Sequence, residues 1–125
     1  MKISLYTLIL PRIELPFLEE WITHNLSLGV DKIFIYNNGY TSASTSASSR
    51  QKTRWSAVDY NEHLSDVQIG VELNNIEERY NGKVQVRSWV YEKDHMDPHP
   101  TSQINGYKHC VENNSSDYWL HCDPD

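Results

Sequence analysis

The feature that most constrains this chain is a pair of nearly continuous apolar runs, residues 3–10 and 30–36, separated by one helix-length segment. A strand with one wet face alternates, whereas a strand covered on both faces is apolar throughout. Both runs are of the second kind. Between them Leu18, Trp21, Ile22 and Asn25 recur at helical spacing, and Gly29 supplies a C-terminal stop. Pro11 ends the first run. Pro16 suits the first turn of the helix, where Glu14, Glu19 and Glu20 place negative charge near its positive end. Strand, helix, strand is a βαβ unit, whose crossover makes the two strands parallel.

The pattern continues further along the chain. Residues 41–63 begin with a Ser/Thr/Ala-rich tract that has nothing to bury and reads as a flexible loop region. From Asp66 a helix is expected, with Ile69, Leu73, Ile76 and Tyr80 on one face and Asn81-Gly82 as its stop. Residues 84–90 alternate and are rich in Val and aromatics, a third strand. Thr101 or Ser102 is expected to cap a helix whose Ile104, Tyr107 and Val111 share a face. Gly106 weakens that helix by about 1 kcal/mol relative to Ala. Residues 118–122 form a fourth strand and deliver Asp123 and Asp125. The fold class is therefore α/β, a Rossmann-like parallel sheet with flanking helices, the first strand lying centrally between the second and fourth. Ligands of such sheets bind beyond the carboxyl ends of the strands. Tyr36-Asn37-Asn38 and Asp123-Pro124-Asp125 both fall at that edge.

Composition narrows the function classes. At 125 residues the chain is one domain at most. Its net charge is −6, and its eleven basic residues are scattered, which argues against nucleic acid as a partner. Walker loops, nucleophile elbows and G-x-G-x-x-G are absent from the sequence, which disfavours kinase, hydrolase and dehydrogenase chemistry. Cys110 and Cys122 are too few for a disulfide scaffold and read as small buried hydrophobes. The first ten residues superficially resemble a signal peptide, but Ser4 and Thr7 interrupt the apolar core and no cleavage site follows. No run reaches membrane-spanning length, so a cytoplasmic location is expected.

Two carboxylates one residue apart at a strand end point roughly the same way. They suit a hard divalent cation that takes the rest of its shell from water and substrate phosphates. Such an ion neutralises a diphosphate leaving group, the central task of glycosyl transfer from a nucleotide sugar. Alone, the same three residues are more often a polar turn. A second cluster, His95, Asp97 and His99, has the ligand types for a transition metal. Three isolated ligands in a polar loop are more often simply solvated.

The segment around the first helix resembles the family 92 and family 2-like glycosyltransferases, whose pattern is N-E-x-x-x-L-x-E-W-I-x-x-H, then G-V and a strand ending in Y-D-N. Glu14, Leu18, Glu20, Trp21, Ile22, Gly29, Val30, Tyr36 and Asn38 match it. Gln103, Tyr107, Cys110, Trp119, Asp123 and Asp125 match a second block, Q-x-x-x-Y-x-x-C followed by W-x-x-x-D-x-D. Together the blocks cover about half of the chain, in the family's order. Ile13 stands in place of the pattern's Asn, Asn37 in place of its Asp, and His24 falls one position early. The resemblance implies a GT-A fold and a metal-dependent transferase of which this chain is the donor-binding half. Asp123 and Asp125 would hold Mn²⁺ or Mg²⁺. Tyr6, Glu14, Tyr36, Asn37, Asn38, Gln103 and Asp123 would contact a UDP- or GDP-sugar, and a glycan or other hydroxyl compound would be the acceptor. The families' acceptor-binding strands and catalytic base lie beyond the Asp-x-Asp strand, so residues 1–125 alone are expected to turn over no substrate. The apolar sheet surface left uncovered is expected to make the chain self-associate. Two rival readings are a noncatalytic or degenerate nucleotide-sugar-binding module and an unrelated α/β metal-binding domain using His95 and His99.

Overall fold

A computed structural model describes residues 1–38, 65–89 and 98–124. Among the described residues four parallel strands and three helices follow in the order β1 (Ile3–Ile9), α1 (Pro11–Ser27), β2 (Lys32–Asn37), α2 (Asp66–Arg79), β3 (Val84–Ser88), α3 (Pro98–Asn113) and β4 (Tyr118–His121). The sheet order is β3-β2-β1-β4. β1 is central, with β2 and β4 beside it, and every pair is parallel. This is an α/β, Rossmann-like sheet with helices on both faces.

Alternation along the strands divides the core. Leu5, Ile9, Ile33, Ile35 and Val84 turn to one face and meet Leu18, Trp21 and Ile22 of α1 and Ile69, Leu73 and Ile76 of α2. Tyr6, Leu8, Phe34 and Tyr36 turn to the other and meet Cys110 of α3, with Trp89, Tyr107 and Trp119 packed around them. One face is thus aliphatic and the other aromatic. On the aliphatic side Glu19 of α1 pairs with Arg79 of α2 and accepts a weaker bond from the Tyr80 hydroxyl, joining the two helices at the surface. The free edge of β3 is partly stopped, because the Val86 N–H donates to the Glu77 carboxylate at 2.6 Å. β4 leaves Tyr118 and Leu120 exposed at the opposite edge.

Several boundaries differ from the sequence expectation. Pro11 does not merely end the first strand. It opens α1, with Leu10 as the N-cap, and Pro16 falls inside the helix. Proline's fixed φ and missing N–H suit the first helical position, so a strand can pass directly into a helix there. The cap is built by Glu14: the Leu10 N–H donates to its carboxylate at 2.8 Å, while the Glu14 N–H donates to the Leu10 carbonyl at 3.0 Å. Replacing Glu14 with Ala should lower stability by about 1 kcal/mol, and Glu14→Gln, which keeps an acceptor, by less. Urea unfolding midpoints of the two variants test this. α2 carries a full capping box, in which Ser65 accepts from the Gln68 N–H and the Gln68 side chain accepts from the Ser65 N–H.

α3 begins at Pro98, earlier than Thr101 or Ser102, and its contact face is rotated from the expected one. Ile104 is 63% exposed, while Gly106 and Cys110 are buried. The tract at residues 41–63, the expected end of the third strand at Val90, and His95 and Asp97 lie outside the described residues. Cys110 is buried as expected, but Cys122 is exposed. It lies just past the end of β4, where no second layer covers it among the described residues.

Candidate functional site

Register decides what meets at the carboxyl edge. Tyr6 of β1 pairs with His121 of β4, and Ile9 of β1 pairs with Asn37 of β2. Asp123 therefore leaves β4 beside the end of β1, and Asn37 and Asn38 leave β2 on its other side. Adjacent strands are about 4.8 Å apart, so roughly 10 Å separates the two groups, with β1 between them.

Asn38 is 3% exposed and holds this edge together. Its backbone N–H donates to the Ile9 carbonyl at 2.9 Å, and its side-chain amide donates to the Trp89 carbonyl at 2.7 Å. The Trp89 N–H in turn donates to the Asn37 carbonyl at 2.8 Å. The ends of β1, β2 and β3 are fastened by these bonds. Glu14 lies at the same edge, at the start of α1, with its carboxylate on the Leu10 N–H.

Three acids stand at strand ends, and they are used differently. At the amino edge Asp31 accepts from the Ile3 N–H at 2.7 Å and Asp117 from the Lys2 N–H at 2.6 Å. At the carboxyl edge Asp123 has a half-exposed side chain and, among the described residues, takes no backbone N–H. The His121 ring lies beside it, its Nε2 3.9 Å from Asp123 Oδ1. That separation exceeds a hydrogen bond.

Beneath the edge lies an aromatic floor. Tyr6 is fully buried, with ring centroids 5.2 Å from Tyr36, 5.5 Å from Tyr107 and 5.3 Å from His121. Tyr36 contacts Trp89 and His109, and its hydroxyl hydrogen-bonds His109 Nδ1 at 2.7 Å. Burial, followed by the repulsion that ionised Tyr36, Cys110 and Asp123 would exert, pushes the Tyr6 hydroxyl well above its ordinary pKa. Tyr36 is pushed up too, first by burial and then by Cys110. Both rings are therefore neutral supports for the edge. Gly106 lets α3 come this close. A Cβ there would lie 2.5 Å from the Tyr6 hydroxyl, 3.2 Å from Trp89 Nε1 and 3.3 Å from Tyr36 Cδ2.

Cys110 sits in the same floor, and burial raises its thiol to about 11. It stays protonated at neutral pH and is unreactive as a nucleophile. In the native chain one thiol, that of Cys122, should react quickly with a disulfide reagent at pH 8, and a second only after unfolding in urea. Cys122→Ser should abolish the fast phase. Two fast thiols in the folded chain would contradict the burial of Cys110.

Of the residues singled out in the sequence, Tyr6, Glu14, Tyr36, Asn37, Asn38 and Asp123 are brought to or beneath one edge. Gln103 falls within α3, and Asp125 lies outside the described residues. Sequence reasoning missed His121, His109 and Trp89, and read Gly106 only as a weak point of its helix. His121 carried a signal, since it stands two residues before Asp123 on the same strand face. Other hollows lie among the described residues. A shallow groove of about 690 Å³ follows Phe17, Trp21 and His24 of α1 and reaches Pro124. A smaller polar one of about 250 Å³ lies between Arg87, His109 and Asn113. Neither gathers the strand ends.

No family model, curated protein or solved structure matches this chain. Among the described residues no helix is long and apolar enough to cross a membrane.

Proposed function

We propose that this chain is the donor-binding half of a GT-A-type glycosyltransferase, similar to families 92 and 2, that takes a UDP- or GDP-sugar with Mn²⁺ or Mg²⁺. The sugar would pass to a hydroxyl of a glycan or another acceptor. One observation carries the reading. Among the described residues Asp123, at the carboxyl end of the strand beside central β1, gives its carboxylate to no backbone N–H, while Asp31 and Asp117 at the other edge are spent on backbone N–H groups. A half-exposed carboxylate at a strand end suits a cation that retains water and takes up phosphate oxygens. By the resemblance Asp125 joins it. When bound, the cation neutralises the diphosphate leaving group.

The chain's own residues divide the remaining work. By the resemblance Asn37, at the end of β2, would lie near the nucleoside. Asn38 fixes the position of Asn37 by tying its strand to β1 and β3. Tyr6 and Tyr36 hold the floor at constant shape and charge. Exposed Tyr118 and Leu120 on the edge strand favour self-association.

Calorimetric titration of the chain with UDP and with GDP tests the proposal, with Mn²⁺ present and after chelation by EDTA. Binding of one nucleotide that requires the metal is expected. Equal heats with and without metal, or no binding of either nucleotide, would overturn it.

A further inference from the structure

We infer that the polar hollow between β3 and α3 is a second binding site, which takes a phosphoryl group without metal, as free phosphate or a small phosphomonoester, on Arg87 and His109. Register builds one wall. Tyr36 of β2 lies beside Arg87 of β3, two residues after the Phe34 position, so these side chains share the aromatic face of the sheet. The last turn of α3 supplies the other wall with His109, Asn113 and Asn114, around a space of about 250 Å³. The chain has seventeen acids against eleven bases, yet among the described residues no Asp or Glu lines this hollow. Among them, too, no carboxylate pairs with Arg87. Lys32 shares the Phe34 face, its Nζ 5.1 Å from that ring's centroid, and adds a second cation close by.

Burial pushes the Tyr36 hydroxyl and the Cys110 thiol up, and the positive charge of Arg87 pulls both back part of the way, so that charge acts into the hollow's floor. The His109 imidazole is fixed. Its Nδ1 is bonded to the Tyr36 hydroxyl at 2.7 Å and its ring lies 4.8 Å from that of Trp89, which leaves Nε2 as the nitrogen for a ligand. A helix C-terminus ordinarily repels an anion. Here the Asn113 and Asn114 amides donate to the His109 and Cys110 carbonyls at 2.8 and 2.9 Å, covering two of the last carbonyls. Each amide's Oδ1 is then an acceptor for a ligand hydroxyl. A planar guanidinium matches phosphate oxygens two at a time, and two cations with an imidazole suit a dianion better than a single carboxylate charge. Two strands separate β3 from β4. The hollow therefore stands about 14 Å across the sheet from the strand that carries Asp123, and the inference goes beyond the donor site.

The test uses the whole ¹⁵N-labelled chain in EDTA, titrated with inorganic phosphate and separately with glucose 1-phosphate. Amide resonances of Phe34, Arg87, His109 and Asn114 should shift saturably, while those of Cys122 and Asp123 stay in place. Arg87→Gln changes an exposed residue of an edge strand. It should weaken binding by roughly tenfold or more, whereas Asp123→Ala should leave it unchanged. Tighter binding of glucose 1-phosphate assigns the site to a phosphomonoester, and equal or weaker binding assigns it to free phosphate. The spectra of the unmutated chain decide the matter even if the variant folds poorly. No shift at these residues with either ligand, or binding that ignores Arg87→Gln, would overturn the inference. Neither result touches the proposed function, which is read with nucleotide and Mn²⁺ at the other site.

Discussion

Gly106→Ala should destabilise this protein, although glycine is a poor helix residue and Ala would normally be welcome at its position. Helix propensity alone predicts a gain of about 1 kcal/mol. Against it, the new Cβ would meet the hydroxyl of fully buried Tyr6 at 2.5 Å, with Trp89 and Tyr36 closing the other sides. Overpacking of a tight core costs roughly 1–3 kcal/mol. Tyr6 cannot swing aside, because Tyr36, Tyr107 and His121 surround its ring. The two terms leave an expected net loss of up to about 2 kcal/mol, read as a fall in thermal midpoint of roughly 4 °C per kcal/mol. Tyr6→Phe removes the atom closest to the new methyl group. In that background the cost of Gly106→Ala should shrink by at least ~0.5 kcal/mol, a coupling that a double-mutant cycle measures. A stability gain on Gly106→Ala, or additive behaviour of the pair, would contradict the close approach of α3.

Asp123→Ala should act in the opposite way, leaving the fold intact and removing the ligand. Its side chain is exposed, and among the described residues no backbone group depends on it, so stability should stay within about 0.5 kcal/mol of the unmutated chain. Metal-dependent nucleotide binding should fall by at least roughly tenfold, equivalent to about 1.4 kcal/mol, because the cation and diphosphate lose an anchoring charge. Asp31→Ala is the matched control at the other edge. It breaks the bond from the Ile3 N–H and should cost stability without touching nucleotide affinity. Calorimetry and urea unfolding of both variants separate the two effects. Asp123→Ala that unfolds the chain, or that binds nucleotide with unchanged affinity, would remove Asp123 from the site.

The sheet was legible in the sequence because β1 and β2 are covered on both faces and so carry no polar alternation. Their nearly continuous apolar runs, with one helix between them, leave little but a parallel pair. The start of α1 was less legible. Pro11 is compatible with ending a strand and with opening a helix, and only the Glu14 bond back to Leu10 decides between them. The contact face of α3 was misread for a different reason. Periodicity weighs apolar side chains, so it followed Ile104, Tyr107 and Val111, whereas the closest contact with the sheet is made by Gly106, which has no side chain to weigh. At the site, the position of Asp123 followed from strand-end logic alone. The structural task of Asn38 did not, since its bond to the Trp89 carbonyl spans a sequence separation of 51 and exists only once β2 and β3 have paired. His121 was passed over as a strand residue, although its place two positions before Asp123 marked it as sharing that face.

The central claim is that the carboxyl edge of this sheet, at Asp123, holds a divalent metal and through it a nucleoside diphosphate. Paramagnetic Mn²⁺ broadens the amide resonances nearest to it, so an ¹⁵N-labelled chain titrated with Mn²⁺ and UDP or GDP locates the ion directly. The account predicts selective broadening at Ile9, Leu10, Asn37 and Asn38 and from His121 to Asp123, with Lys2, Asp31, Lys83 and Asp117 at the amino edge unaffected. Broadening centred on the amino edge, or on the acids of α1 at Glu19 and Glu20, would contradict it.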